Sequence, residues 1–343
     1  MKMKTAAGMM LAGLVGATPA FAPAFAQGSG SATIDSIRSK GVLACGVSTG
    51  VAGFSLADSK GVTQGIDADT CRAVAAAILG DGTKVRFVPT TTTNRFTALQ
   101  SGEVDLLVRS TTWTLGREGN LGLMFAGINF YDGTGFMVKT SAGVKSAKDL
   151  NGATICVQPG TSTELAIADY FRLNNLKFNP ILIQDLAEIQ NTFIAGRCDS
   201  YSTDASGLAA FRFQQAKPTD YTLLPEIISK EPLGMMVRKG DDKYFDLVRW
   251  TLFAMIQAEE SGVTMANVEE MTKSTNPDVK RLLGAEGNLG KALGVDDKWV
   301  VNVVKAVGNY GEMFDRTIGP LGIPRGINNL WNKGGLHYPP PIR

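Results

Sequence analysis

Val104-Asp-Leu-Leu-Val-Arg-Ser-Thr-Thr-Trp-Thr-Leu-Gly-Arg117 runs an apolar stretch straight into a cluster of hydroxyl side chains, and an arginine closes it. The apolar run 104–108 has the composition of a buried strand. Hydroxyls and free backbone groups at the carboxyl end of such a strand lie where open α/β sheets hold ligands. A guanidinium close by adds a planar fork that grips a carboxylate through two parallel hydrogen bonds. The stretch therefore predicts a strand, a ligand-facing turn at 110–112 and a receptor for a small molecule with a carboxylate.

The alternation continues on both sides. Strand patterns at 42–47, 85–88 and 104–108 are separated by helical patterns at 69–79 and 94–100. In the first of these helices Cys71, Val74 and Ile78 share a face and Gly80 ends it. A second series follows Gly133, with strands at 155–157, 181–183, 200–202 and 233–237. Its helices are predicted at 161–173, around Leu186, Ile189 and Phe193, at 204–216 and at 246–258. Strands interleaved with crossover helices give an α/β fold of mostly parallel sheets. Two such series joined by two extended crossings predict two lobes with a cleft between them. The first lobe takes 27–133 and the return 233–343, which adds a helical extension and an extended tail; the second takes 134–232. The tail 334–343 has no helical or strand period and is read as an extended segment on the surface, with His337 a surface or packing residue.

At the amino end, Lys2 and Lys4 precede an apolar run from Ala6 to Val15, and Ala24-Phe25-Ala26 follows. That is the three-part layout of a secretory signal, too short to span a bilayer, with cleavage expected after Ala26. A cut after Ala22 would set Pro23 beside the scissile bond. Losing the leader leaves 32 basic against 32 acidic residues. A near-neutral chain is a poor partner for nucleic acid or an anionic membrane surface. Four cysteines, Cys45, Cys71, Cys156 and Cys198, fit an oxidising compartment and allow three pairings. Cys45 with Cys71 and Cys156 with Cys198 is the expected choice, since each pair then stays within one lobe. Their spacing suggests no metal site, and no cofactor is implied.

The second lobe carries two further motifs. In Gln158-Pro-Gly-Thr-Ser-Thr-Glu164, Gly160 permits a tight turn, and Thr161 with Glu164 forms a capping box. A helix start also offers free amides and a positive dipole end to an anion. Asp204, just past a short strand and at the head of a helix, reads either as a routine N-cap or as a partner for an ammonium group. An arginine on one lobe and an aspartate on the other would match the two ends of an amino acid.

With Gly65-Ile-Asp-Ala-Asp69, Asn94-Arg-Phe-Thr-Ala-Leu-Gln-Ser-Gly-Glu-Val-Asp105, the 110–117 segment, Gly160-Thr161 and Asp204 in place, the chain resembles the polar amino-acid-binding proteins of bacterial ABC importers. Gly319-Pro-Leu-Gly-Ile-Pro-Arg-Gly-Ile-Asn-Asn-Leu-Trp331 and Gly334-Gly-Leu-His-Tyr338 extend the resemblance to the general L-amino-acid-binding subgroup. It implies a periplasmic, monomeric, non-enzymatic receptor that delivers L-amino acids to a membrane permease. It also implies that Arg117 holds the α-carboxylate, with the amides of Thr112 and Ser162. Asp204 would take the ammonium with the carbonyl of Ser110 and the hydroxyl of Thr161. The side-chain pocket falls around Val51, Phe54, Thr92, Arg109 and Trp113.

Relatives that prefer basic amino acids commonly carry an aspartate where this chain has Ser48, and aromatic residues where it has Val51 and Thr92. Their loss points to a roomier, less selective pocket. Arg109 either favours acidic side chains or sits in a salt bridge under the site. Two rival readings are a dehydratase on the same lobe plan and a stand-alone sensor. A dehydratase needs a general acid or base, and here only His337 in the tail and the capping Glu164 are to hand.

Overall fold

The computed structural model describes residues 28–343; the expected signal segment lies outside the described residues. Helix α1 (Ala32–Lys40) opens the fold, with Ser31 as its cap and Gly41 in the left-handed conformation at its end. The first lobe then lays down β1 (Leu43–Val47), the short hairpin β2 (Leu56–Ala57) and β3 (Thr63–Gln64), α2 (Ile66–Leu79), β4 (Val85–Pro89), α3 (Arg95–Ser101), β5 (Leu106–Thr112), α4 (Leu115–Asn120) and β6 (Leu123–Asp132). The chain crosses at Gly133 into the second lobe. That lobe holds β7 (Thr134–Lys139), β8 (Thr154–Val157), α5 (Ser162–Leu173), β9 (Asn179–Leu182), α6 (Leu186–Ile194), β10 (Ser200–Asp204), α7 (Ala205–Phe213) and β11 (Tyr221–Leu223). Strand β12 (Glu231–Arg238) returns to the first lobe and leads into α8 (Asp242–Glu260). The extension adds α9 (Val268–Met271), α10 (Pro277–Leu282), α11 (Leu289–Ala292), α12 (Trp299–Val307) and α13 (Tyr310–Thr317).

Each lobe is built on one five-stranded sheet, ordered β4-β1-β5-β12-β6 and β11-β7-β10-β8-β9. The sheets are mixed rather than mostly parallel. β1 pairs parallel with β4 and β5, whereas β12 runs antiparallel to both β5 and β6. In the second sheet β8 is parallel to β9 and β10, and β7 is antiparallel to β10 and β11. The crossing strands arrive from the opposite lobe without a crossover helix, so nothing forces them to run parallel. β6 and α4 were not legible in the sequence, because glycines and polar residues interrupt their apolar period.

The first lobe's core runs from β1 and α2 through α8 to α12 and α13. α2 is buried almost throughout, since α12 covers the face that a smaller lobe would leave to water. The second lobe has two smaller cores, one on each face of its sheet. Disulfides join Cys45 in β1 to Cys71 in α2 and Cys156 in β8 to Cys198 just before β10. Each closes a loop inside one lobe and so restricts the unfolded chain without tying the two halves together.

The tail does not simply lie on the surface. His337 is 2% exposed, bridges to Leu330, and packs 4.2 Å from the Tyr310 ring and 5.3 Å from that of Tyr131. Burial, with Arg325 nearby, pulls its pKa down to about 3, so the imidazole is neutral at physiological pH and acts as a packing residue. Glu259 receives both guanidinium nitrogens of Arg325 at 2.7 and 3.1 Å, pinning the segment that leads into the tail to α8.

Candidate functional site

The carboxyl ends of β1 and β5 face the start of α5 and the end of β10 across a cleft of about 760 Å³, counting its open mouth. Ser48, Val51, Phe54, Thr92, Arg109, Ser110 and Thr112 line it from the first lobe; Thr161, Ser162, Tyr201 and Asp204 line it from the second. The lobes are closed on each other. Thr112 Oγ1 and Ser162 Oγ lie 2.9 Å apart, and both donate to Glu231 Oε2, at 2.5 and 2.7 Å. The other oxygen of Glu231 accepts from Thr134 at 3.1 Å and Ser229 at 2.5 Å. Further out, Gln184 Nε2 of the second lobe donates to Thr91 and Thr93 of the first, at 3.0 and 2.6 Å. Glu231 heads the return crossing, so one buried carboxylate ties both lobes to the hinge. Sequence reasoning missed it; a glutamate opening an apolar strand was the only signal.

The hydroxyl cluster is not a turn beyond its strand. β5 runs on through Thr112, but opposite β12 its register slips: Val108 faces Met235 and Thr111 faces Gly234. Arg109 and Ser110 bulge out between these pairs, and Ser110 takes a left-handed φ of 41°. A bulge re-aims side chains without ending the strand, which is how residues of a central strand reach the cleft.

Thr161 caps α5 by accepting from the Glu164 amide at 3.1 Å, and Glu164 Oε2 accepts from the Gly160 amide at 2.9 Å. Asp204 behaves otherwise. It occupies the N-cap position of α7, yet its carboxylate accepts no capping bond. Asp132, from the first crossing, serves that helix start instead: it accepts from the Ser206 hydroxyl and from the Ser206 amide at 3.4 Å. The Asp204 carboxylate is thereby left free at the cleft wall. Burial, with Asp132 and Glu231 close by, pushes its pKa well above the usual carboxylate range, although Arg95 and Arg109 oppose the shift. Burial likewise raises Asp132.

Three guanidinium groups stand on the opposite side. Arg117 lies in the first turn of the short α4, donates from Nη1 to the Thr112 carbonyl at 2.7 Å and lies 5.4 Å from the Phe96 ring. It is not among the residues that line the cleft, although Thr112, whose carbonyl it bonds, is. Burial lowers its pKa, while the fields of Glu231 and Asp204 oppose that. Arg109 lies in the wall, 8% exposed, with Nε donating to the Thr90 carbonyl at 3.2 Å. Its pKa is pulled to about 10 by burial, against the fields of Asp67 and Asp204; it remains charged at neutral pH and forms no salt bridge among the described residues. Arg95 is 2% exposed and lines the same cleft, with Nε unpartnered and the guanidinium 4.7 Å from the Phe96 ring. Burial and the like charges of Arg109 and Arg117 hold it well below the ordinary arginine range. No role was read for Arg95 in the sequence, although it shares the buried face of α3 with Ala98 and Leu99. An arginine in phase with an apolar face is a legible warning.

Trp113 departs from its expected place in the side-chain pocket. Its ring stacks on Phe125 at 5.3 Å and its Nε1 donates to Glu118 at 2.8 Å, so it braces α4 behind the cleft. Alternation along β5 explains this, since Trp113 points opposite to Thr112.

Two mixed sheets, two crossings and a closed polar cleft at the strand ends define the class of two-lobed solute-binding proteins. Residues 43–263 match the family described as bacterial extracellular solute-binding proteins, family 3, and the chain belongs to that family. It is 53% identical over 323 residues to the general L-amino acid-binding periplasmic protein AapJ of Rhizobium johnstonii, covering 93% of this chain and 95% of that one. It is 52% identical over 328 residues to the glutamate/glutamine/aspartate/asparagine-binding protein BztA of Rhodobacter capsulatus, covering 94% and 97%. Among solved structures, a periplasmic binding protein from Brucella ovis with glutathione bound is 55% identical, with a TM-score of 0.89, covering 91% of this chain and 99% of that one.

Proposed function

We propose that this protein is a periplasmic receptor that captures L-amino acids of several side-chain types and delivers them to the membrane permease of an ABC importer. The observation that carries this reading is the free Asp204 carboxylate, relieved of capping duty by Asp132 and facing the arginine side of a closed cleft. Arg117 and the amides of Thr112 and Ser162 take the α-carboxylate. Asp204, the Ser110 carbonyl and the Thr161 hydroxyl take the ammonium. Val51, Phe54, Thr92 and Arg109 surround the side chain, and Trp113 supports the floor from behind. The relatives' names support this ligand class, and the uncharged Ser48 and small Val51 support breadth.

Closure follows from the electrostatics. Closing the lobes strips water from Asp204, which is costly for an unpaired carboxylate. A ligand ammonium removes that cost in the closed state alone, and only such differential contacts can drive closure. The permease then reads the closed form. The reading is one of binding: the close relatives are named as binding proteins, His337 is buried in the tail packing, and Glu164 accepts from the Gly160 amide at the head of α5.

A thermal-shift screen against the twenty amino acids and glutathione tests this directly. Ligand at about a hundred times its Kd adds roughly 2.7 kcal/mol of stability, so a binder is readily seen. Shifts across neutral and acidic amino acids are expected; a single sharp response would overturn the breadth, and none would overturn the function.

Arg95 and Arg109 line the cleft without a salt bridge among the described residues, which favours ligands with a second carboxylate. Substitution of Arg95 by methionine, of similar length but uncharged, should lower affinity for glutamate by roughly tenfold or more, as for the loss of one hydrogen bond to a charged group. Glutamine affinity should change far less. Equal losses for the two, measured by calorimetry, would remove Arg95 from the selectivity mechanism.

A further inference from the structure

Among the described residues, only Ser110, Asn175 and Asn288 adopt a left-handed φ without being glycine. Asparagine tolerates that region through local hydrogen bonding; serine has no such licence and must be held there by its surroundings. The holder is Asp67. Its Oδ2 accepts from both the amide and the hydroxyl of Ser110, at 2.9 and 3.0 Å. Its Oδ1 accepts from Asn129 Nδ2 at 2.9 Å. Asp67 and Asn129 are each 1% exposed. The Asn129 backbone carbonyl in turn accepts from the buried Tyr310 hydroxyl of α13, at 2.9 Å.

Asp67 reaches this position because Gly65, at φ 129°, turns the chain against Phe54, where a Cβ would lie 2.3 Å from backbone atoms. The Asp67 amide then donates to the Phe54 carbonyl at 3.1 Å, fixing the first turn of α2 behind the bulge. A fully buried carboxylate with three good donors and no ion pair is costly for stability alone. Its three bonds converge on one strained residue in the cleft wall and on the strand that enters the first crossing.

We infer that Asp67 is a positioning residue for amino-acid capture: it holds Ser110 in the left-handed bulge that presents this residue to the ligand, and Asn129 with Tyr310 ties that support to the carboxyl-terminal extension. The inference rests on the functional reading above and deepens it. It assigns the extension a part in binding, because α13 reaches the cleft in three steps through Tyr310, Asn129 and Asp67.

The test is a rescue. Asp67→Asn exchanges the ionised acceptor of the Ser110 amide and hydroxyl for a weaker neutral one, so affinity for glutamate and glutamine should fall roughly tenfold or more. The double variant Asp67→Asn/Ser110→Gly keeps the carbonyl of position 110 and removes the need for a holder, because glycine takes a left-handed φ freely. It should recover affinity to within about threefold of wild type, a rescue that general destabilisation would not give. Calorimetry with both ligands reads the affinities, and thermal melting without ligand reads the fold. Tyr310→Phe removes one hydroxyl and should weaken binding severalfold; it carries the test if Asp67→Asn does not fold. Unchanged affinity in Asp67→Asn, or no recovery in the double variant, overturns the inference while wild-type binding leaves the function standing. Unchanged affinity in Tyr310→Phe overturns it where that variant carries the test. Wild-type protein that binds no amino acid removes both.

Discussion

Asp204→Asn is expected to bind every amino acid at least about a hundredfold more weakly than wild type, the scale of removing one partner from a buried charge pair. Asparagine nearly matches the shape of aspartate, so the loss would report the charge proposed to meet the ammonium. The pH dependence supplies an independent check. Only the ionised carboxylate pairs with an ammonium, and burial raises the pKa of Asp204 above the ordinary 3.8. Wild-type affinity should therefore decline as pH falls, starting at a higher pH than an ordinary carboxylate would give. The variant should lack that segment of the profile. Stability carries the opposite sign: a carboxyl group whose pKa is raised by folding favours the fold when protonated and loses that contribution as pH rises through its folded pKa. Ligand-free Asp204→Asn should accordingly melt above ligand-free wild type at neutral pH. A variant that bound normally, or that melted lower at neutral pH, would contradict the role given to this carboxylate.

The same residue shows where sequence reading reaches its limit. Asp204 at a strand-to-helix junction reads equally as a cap or as a ligand group, because both need an acid at the head of a helix. What separates them is Asp132, 72 positions earlier in the chain, which takes over the capping. No local pattern encodes that exchange. Thr161 was legible for the converse reason: everything its cap needs is local, and it accepts from the Glu164 amide as the spacing implies, although Glu164 returns its bond to the Gly160 amide rather than to the Thr161 amide of a full capping box. The strands buried on both faces, β1 and the apolar part of β5, were legible from composition alone. β6 was not, since Gly127 and Asn129 interrupt it, and the buried Asn129 side chain donates to Asp67. Arg95 was hidden differently. It lies on the buried face of α3, and only the cleft shows that it has no salt bridge there. Long-range polar relations therefore make up most of what the sequence withheld, and they are the relations that make a site.

Arg117→Ala is expected to lower affinity by about 3 kcal/mol or more, roughly a hundredfold or beyond, because a ligand carboxylate would then enter the closed cleft without its cation. The geometry gives this more content than a charge deletion. Nη1 already donates to the Thr112 carbonyl, and the Phe96 ring lies close to the guanidinium, so the fork is held in one orientation before any ligand arrives. Arg117→Lys keeps the charge but not the fork, and it cannot reproduce both the Thr112 bond and a two-point grip. Its affinity should fall between those of wild type and alanine. Amino-acid amides, which keep the ammonium but lack the carboxylate, complete the cycle. Wild type should prefer each acid over its amide strongly, whereas Arg117→Ala should bind the two almost alike. Calorimetry on the four combinations yields the coupling between the guanidinium and the carboxylate directly. A strong preference for the acid that survived in Arg117→Ala would move the carboxylate to another cation in the cleft. Arg95 and Arg109 would then be the groups to exchange next, since both are buried in the wall and neither has a carboxylate partner of its own.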